Sequence, residues 1–159
     1  MKGKERPNFS KKEAKLKAAN YCAYQERSQQ QVRNKLYEMG LTSDEVDEVL
    51  TELIMEGFVN EERFAKAFAG GKFRIKKWGR IRITRELKTH NISAYCIENG
   101  LAEIDEEEYI DSLKEIAQKK KDSLTEHDLF VKREKVSRHL IYKGFEPDLV
   151  WTLVSELIQ

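Results

Sequence analysis

Between Lys72 and His90 the chain carries Lys72, Arg74, Lys76, Lys77, Arg80, Arg82, Arg85 and Lys88, opposed by a single acid, Glu86. Lysine and arginine at this density are the side chains that neutralise phosphates, and an interaction built on them weakens steeply as salt rises. Trp78 stands in the middle, a ring able to stack on a nucleobase or to lie under a guanidinium. The competing reading turns Trp78 into the core and leaves the cations solvated or paired with a neighbouring acidic helix. One acid among so many bases favours a binding patch; the sequence leaves Trp78 open between core and surface. A thinner set follows, Lys132, Arg133, Lys135, Arg138 and Lys143 against Glu134, for which plain solvent exposure is an equal explanation.

Other chemistry has little to stand on. There is no GxxxxGK[ST], no GxGxxG after a strand, no HExxH, no paired CxxC and no GxSxG, so an enzyme is not expected. Cys22 and Cys96 lack metal-ligand spacing, and His90, His127 and His139 are scattered. No metal and no cofactor are expected, and both cysteines are read as reduced thiols of a cytoplasmic protein. No apolar run is long enough to span a bilayer and the N-terminus lacks a signal-type apolar region, which predicts a soluble chain away from membranes. Lys and Arg together number 29 against 28 Asp and Glu, yet the acids are segregated. From Leu41 to Glu62 there are Asp44, Glu45, Asp47, Glu48, Glu52, Glu56, Glu61 and Glu62 with no Lys or Arg. Such a band is first a solvated helix face, and second a surface able to repel nucleic acid or meet a basic protein.

The elements that must position these residues come from a repeat. Val32, Leu36, Gly40 and Leu41 return as Ile83, Leu87, Asn91 and Ile92, and again as Val136, Leu140, Gly144 and Phe145. Downstream, Val46, Ile97 and Val150 stay in register, then Leu50, Leu101 and Val154, then Leu53, Ile104 and Leu157. Three copies of one helical unit predict an all-α fold of three-helix repeats, residues 10–58, 59–105 and 106–159, behind a flexible basic tail at 1–9. Several small cores laid end to end fit better than one deep core. Ser10, Ser28, Ser43, Asn60 and Ser93 are the expected N-caps, and Pro147 suits a first helical turn. Gly40 is placed for a left-handed stop. Gly70-Gly71 is expected to interrupt its helix, by a kink or by a backbone passing close. Trp151, between Val150 and Val154, is read as core.

At these residues the chain resembles the RecX family of regulatory proteins, modulators of the RecA recombinase. The resemblance rests on Glu56-Gly57-Phe58-Val59-Asn60-Glu61-Glu62-Arg63-Phe64-Ala65 and on Gly79-Arg80-Ile81-Arg82-Ile83-Thr84-Arg85-Glu86-Leu87, with Arg27-Ser28, Lys35-Leu36 and Gly40 in the first repeat. It covers nearly all of the chain past the tail. Family members often carry Asp where Glu61 stands and Gly where Asn91 stands; Asn tolerates the left-handed cap. The resemblance implies three tandem units in an elongated, curved molecule, a monomer that binds RecA along the groove of its filament on single-stranded DNA. It implies restraint of RecA's ATPase and recombinase activity, by blocking filament extension or promoting disassembly. The contact candidates are Lys72, Arg74, Lys76, Lys77, Trp78, Arg80, Arg82, Arg85 and Lys88, with Lys132 and Arg133 from the third repeat; direct contact with DNA is left open. Replacing Arg80, Arg82 and Arg85 by Glu is expected to cut binding with helical content unchanged.

Two rivals remain. Ser28 to Leu53 can be read as a helix-turn-helix that binds DNA directly, although a recognition helix opening on Ser43-Asp44-Glu45 aims acids at phosphates. A plain helical adaptor, indifferent to RecA, would keep its binding when the second-repeat bases are neutralised.

Overall fold

The computed structural model describes residues 8–159, so the expected tail at 1–9 lies almost wholly outside the described residues. Those described form nine helices and no strand: α1 Lys11–Tyr24, α2 Gln29–Glu38, α3 Ser43–Met55, α4 Glu61–Lys76, α5 Arg80–Thr89, α6 Ala94–Ala102, α7 Glu106–Ser123, α8 Leu129–Tyr142 and α9 Pro147–Leu157. Close helix packing stays within α1–α3, α4–α6 and α7–α9, which gives three tandem three-helix bundles.

Local chemistry sets the starts. Ser10, Ser28, Asn60 and Ser93 each accept a hydrogen bond from the amide three residues on, as N-caps do. Ser28 forms a full capping box with Gln31. The third helix differs by one residue from expectation. Thr42 is its cap, boxed with Glu45, and Ser43 is its first helical residue. Pro147 opens α9, where its missing N–H is harmless.

The repeat register is the register of the core. Val32, Ile83 and Val136 are sealed from solvent, as are Leu36, Leu87 and Leu140. The position after each second helix takes positive φ in all three copies, +87° at Gly40, +58° at Asn91 and +99° at Gly144. That left-handed residue ends the helix and drops Leu41, Ile92 and Phe145 into the core.

Gly70-Gly71 does not interrupt α4, which runs straight through the pair. A Cβ on Gly71 would meet nothing within 4 Å, and the three atoms nearest to one on Gly70 all belong to the Arg74 guanidinium. The close backbone approach lies instead at Gly100, where a Cβ would come within 2.8 Å of the Ala65 carbonyl oxygen. Absence of that Cβ lets α6 lie flat on α4. Trp151 is not core; it is 50% exposed. The buried stripe of α9 runs Val150, Val154 and on to Ile158 at its C-cap, and Trp151 sits one 100° step off it.

The apolar interior forms two cores, not three. Ala14, Ala18, Val32, Leu36, Val46 and Leu53 build one inside the first bundle. The second and third bundles share the other, with Phe73, Tyr109 and Phe145 ring to ring where they meet (centroids 5.7 and 5.3 Å apart).

Both junctions use the same geometry. The start of the second helix in one bundle docks on the turn that follows the second helix of the next. At the first junction the docking is polar: Ser28 Oγ shares a hydrogen bond with His90 Nδ1 at 3.1 Å, and Asn91 Nδ2 donates to Gln30 Oε1 at 3.0 Å. At the second it is backbone on backbone, with Gly79 N donating to Lys143 O at 2.8 Å and Ile81 N to Gly144 O at 2.9 Å. Among the described residues no turn docks on the start of α8, where Leu129 and Phe130 are exposed. In the first bundle the corresponding turn accepts from Phe9, whose N–H donates to Met39 O.

Candidate partner interface

The second junction positions the basic residues. Lys72, Arg74 and Lys76 occupy the last turns of α4, where cations suit the negative helix end. Lys77 takes a left-handed conformation, φ +59°, and stops the helix. The chain then turns through Trp78-Gly79 into α5, which carries Arg80, Arg82, Arg85 and Lys88. Arg74, Lys76, Lys77, Arg85 and Lys88 are exposed; Lys72, Trp78, Arg80 and Arg82 are half-buried.

Arg80 has a separate role. Its guanidinium lies 3.8 Å from the centroid of the Tyr109 ring, pairs with Glu146 at 2.9 Å and bonds Glu106 as well. Its backbone N–H donates to Tyr109 Oη at 3.0 Å, and the Tyr109 hydroxyl donates to Glu146. Burial, and then the bond to Glu146, push the Tyr109 phenol well above its ordinary pKa. Arg80 therefore clamps α5 to α7 and to the start of α9. Replacing Arg80, Arg82 and Arg85 together by Glu would therefore remove a seam contact as well as surface charge.

Trp78 sits at the edge of the shared core with cations over its ring. The Arg82 guanidinium lies 4.2 Å from its centroid and Lys72 Nζ lies 5.1 Å away. Arg82 also reaches Tyr142 of the third bundle, 5.6 Å from that ring. Lys143 Nζ approaches Lys76 O at 3.4 Å, and burial together with the nearby Arg82 charge lowers its pKa. Among the described residues no carboxylate lies within 4 Å of the charged groups of Lys72, Lys76, Arg82 or Lys143.

The third-bundle candidates divide. Arg133 Nε donates to Ile158 O at 2.8 Å and so holds the end of α9, while Lys132 is half-buried on α8. Tyr142 continues from the Trp78–Arg82 stack into a groove of about 460 Å³ lined by Lys120, Leu124, Lys135, Arg138, His139 and Tyr142. Lys135 bonds Glu126 and Arg138 bonds Glu134 along its rim. Burial, then Lys120 and Lys143, lower the pKa of His139. Sequence reasoning named Lys135, Arg138 and Lys143 as a thinner basic set but missed Tyr142 and the continuity with the second bundle. Its signal was in the repeat, since Tyr142-Lys143 immediately precedes the left-handed Gly144 and must face the preceding bundle.

The acidic band is largely matched from within. Lys11 pairs with Glu48, Lys15 with Glu52 and Glu56, and Arg33 with Asp47, so α1 and α2 answer much of the charge on α3. Cys22 and Cys96 are buried free thiols, and no cluster of His, Cys, Asp and Glu among the described residues is arranged to hold a metal ion. No helix there is long and apolar enough to cross a membrane.

Models of the first, second and third three-helix domains of RecX match residues 14–53, 60–101 and 106–154 in succession. The chain belongs to the RecX family. Curated relatives include the regulatory protein RecX of Bacillus cytotoxicus, 26% identical over 150 residues, and that of Clostridioides difficile, 25% identical over the same length. The alignments take in 94% and 91% of this chain, and 56% and 68% of those proteins, so the chain spans little more than half the length of its Bacillus relative. The crystal structure of RecX from Lactobacillus salivarius superposes with a TM-score of 0.82 at 22% identity, covering 92% of this chain and 96% of that one. This likeness extends to the fold: the tandem three-helix architecture is that of RecX.

Proposed function

We propose that this RecX chain is a non-enzymatic regulator of a RecA recombinase. It acts as a cytoplasmic monomer that binds the RecA filament on single-stranded DNA and restrains ATP hydrolysis and recombination by blocking filament extension or promoting disassembly. The observation that carries this reading is the basic surface of the second and third bundles, where Lys72, Lys76, Arg82 and Lys143 are held together with no carboxylate to answer them. Arg74, Lys77, Arg85 and Lys88 extend it along the end of α4 and the outer face of α5. A filament of protein on DNA offers both acidic side chains and phosphates, and a curved row of repeats suits contact along a groove.

The role asks for no catalytic group. Regulation by binding draws its free energy from differential affinity for the extended and disassembled states. Co-sedimentation with RecA filaments assembled on single-stranded DNA tests the reading. Recovery of this protein in the pellet, reduced when Arg74, Lys76 and Arg85 are changed to Gln, is the expected result. A protein that stays in the supernatant at low salt would overturn it.

A further inference from the structure

We infer that the seam between the second and third bundles is a binding site for single-stranded nucleic acid, in which Arg82, Lys143 and Lys72 hold backbone phosphates and Tyr142 offers its ring to a base. The site deepens the proposed function by naming what the basic surface grips, and rests on that reading for its biological setting.

Three observations converge on it. The first is unanswered charge. Arg82 and Lys143 are forced together because their helices dock through Gly79 and Gly144: a Cβ on Gly144 would come within 2.3 Å of the Arg82 Cβ. The junction geometry thus fixes two cations side by side, with Lys72 beyond Trp78 and no neighbouring carboxylate among the described residues. Such an arrangement costs free energy in the unbound protein, and an anion placed between the cations relieves it. Burial first, and then the Arg82 charge, lower the pKa of Lys143.

The second is the aromatic content. Tyr142 is 73% exposed, and the Arg82 guanidinium lies between its ring and that of Trp78. The Arg82 guanidinium braces the two rings from within the seam, and the exposed face of Tyr142 is the stacking surface it leaves for a base. An acidic protein surface would meet the cations without needing either ring. The third is continuity: from Tyr142 the surface runs into the groove of Lys120, Lys135, Arg138 and His139, where Lys135 and Arg138 are already paired with Glu126 and Glu134 and Lys120 offers the further phosphate contact.

The test uses the full chain carrying Trp151→Phe, which leaves Trp78 as the only indole, titrated with oligothymidylate in the absence of RecA. Binding is expected to quench Trp78 fluorescence and to weaken steeply with salt. Tyr142→Ala and Arg82→Gln are each expected to weaken it by about tenfold, the order of one base stack, with circular dichroism unchanged. Tyr142→Phe should bind as the parent does. No quenching and no binding at low salt would overturn the inference, as would affinities unmoved by both variants. Equal affinity for a duplex of the same length would remove the single-strand assignment. If the variants bind oligothymidylate normally but fail to pellet with RecA filaments, the seam meets protein and the inference falls while the proposed function stands. If they lose oligothymidylate but still pellet with filaments, the inference stands and the filament reading loses this surface as its carrier.

Discussion

Gly79 lies so close to Gly144 that a Cβ on it would come within 2.3 Å of the Gly144 carbonyl carbon and of the Phe145 nitrogen. Two glycines from different bundles thus allow backbone to touch backbone, and the Gly79 amide donates to Lys143 across the contact. This contact, the Arg80 clamp and the shared core weld the second and third bundles into one body. The first bundle is joined to that body through side-chain contacts such as Ser28 with His90 and Arg63 with Glu26.

Gly79→Ala should destabilise the protein by up to about 3 kcal/mol, because the added methyl meets backbone that cannot step aside. Gly71→Ala should do the opposite. It stands inside a helix with open space around it, and the change should add about 0.5–1 kcal/mol. Urea unfolding midpoints of the two variants against the parent check the pair.

Arg80→Gln should cost about 1.5–3 kcal/mol, since it leaves the half-buried Glu146 and the Tyr109 ring without their cation. Arg82→Gln, next to it on the same helix, should leave the thermal midpoint nearly unchanged and lower binding instead. A melt in which Arg82→Gln is the more damaging of the two would reverse the roles assigned here.

Leu87→Ala removes a sealed core side chain and should cost about 2–5 kcal/mol. Trp151→Phe, at a half-exposed position, should stay within about 0.5 kcal/mol. Denaturant titration of both variants checks the pair, and a large loss for Trp151→Phe would place its indole in the core.

Acidification should weaken the fold through His90 and His139. Burial is the first cause that lowers the pKa of each in the folded state. The unfolded chain therefore takes up these protons first, so stability is complete above about pH 6.5 and falls as pH drops below it. Replacing both histidines by Gln should flatten that part of the stability profile, read from denaturation midpoints between pH 7.5 and 5.5. Phosphate binding beside His139 favours its charged form, so nucleic-acid affinity should rise over the same interval.

The repeat was legible in the sequence because it is written in residues whose roles are local. Val32, Leu36 and Gly40 need a helix stripe and a left-handed stop in every copy, and their equivalents keep both. Junctions were not legible. Gly79 reads as a helix break until Gly144 is seen against it, and Arg80 reads as one more surface cation until Tyr109 and Glu146 are found around it. Both depend on residues far along the chain. Gly70-Gly71 misled for the converse reason, since helix propensity is a weak local preference that packing on α6 overrides. Trp151 misled because adjacency to two core valines in sequence is not adjacency on a helix.

RecA's single-stranded-DNA-dependent ATP hydrolysis, measured with this protein titrated in at substoichiometric amounts, decides whether the chain restrains a RecA filament. Hydrolysis should fall as filaments shorten in parallel, and Arg82→Gln should need more protein for the same effect. A hydrolysis rate that stays unchanged, with no binding to the assembled filament, would contradict the account.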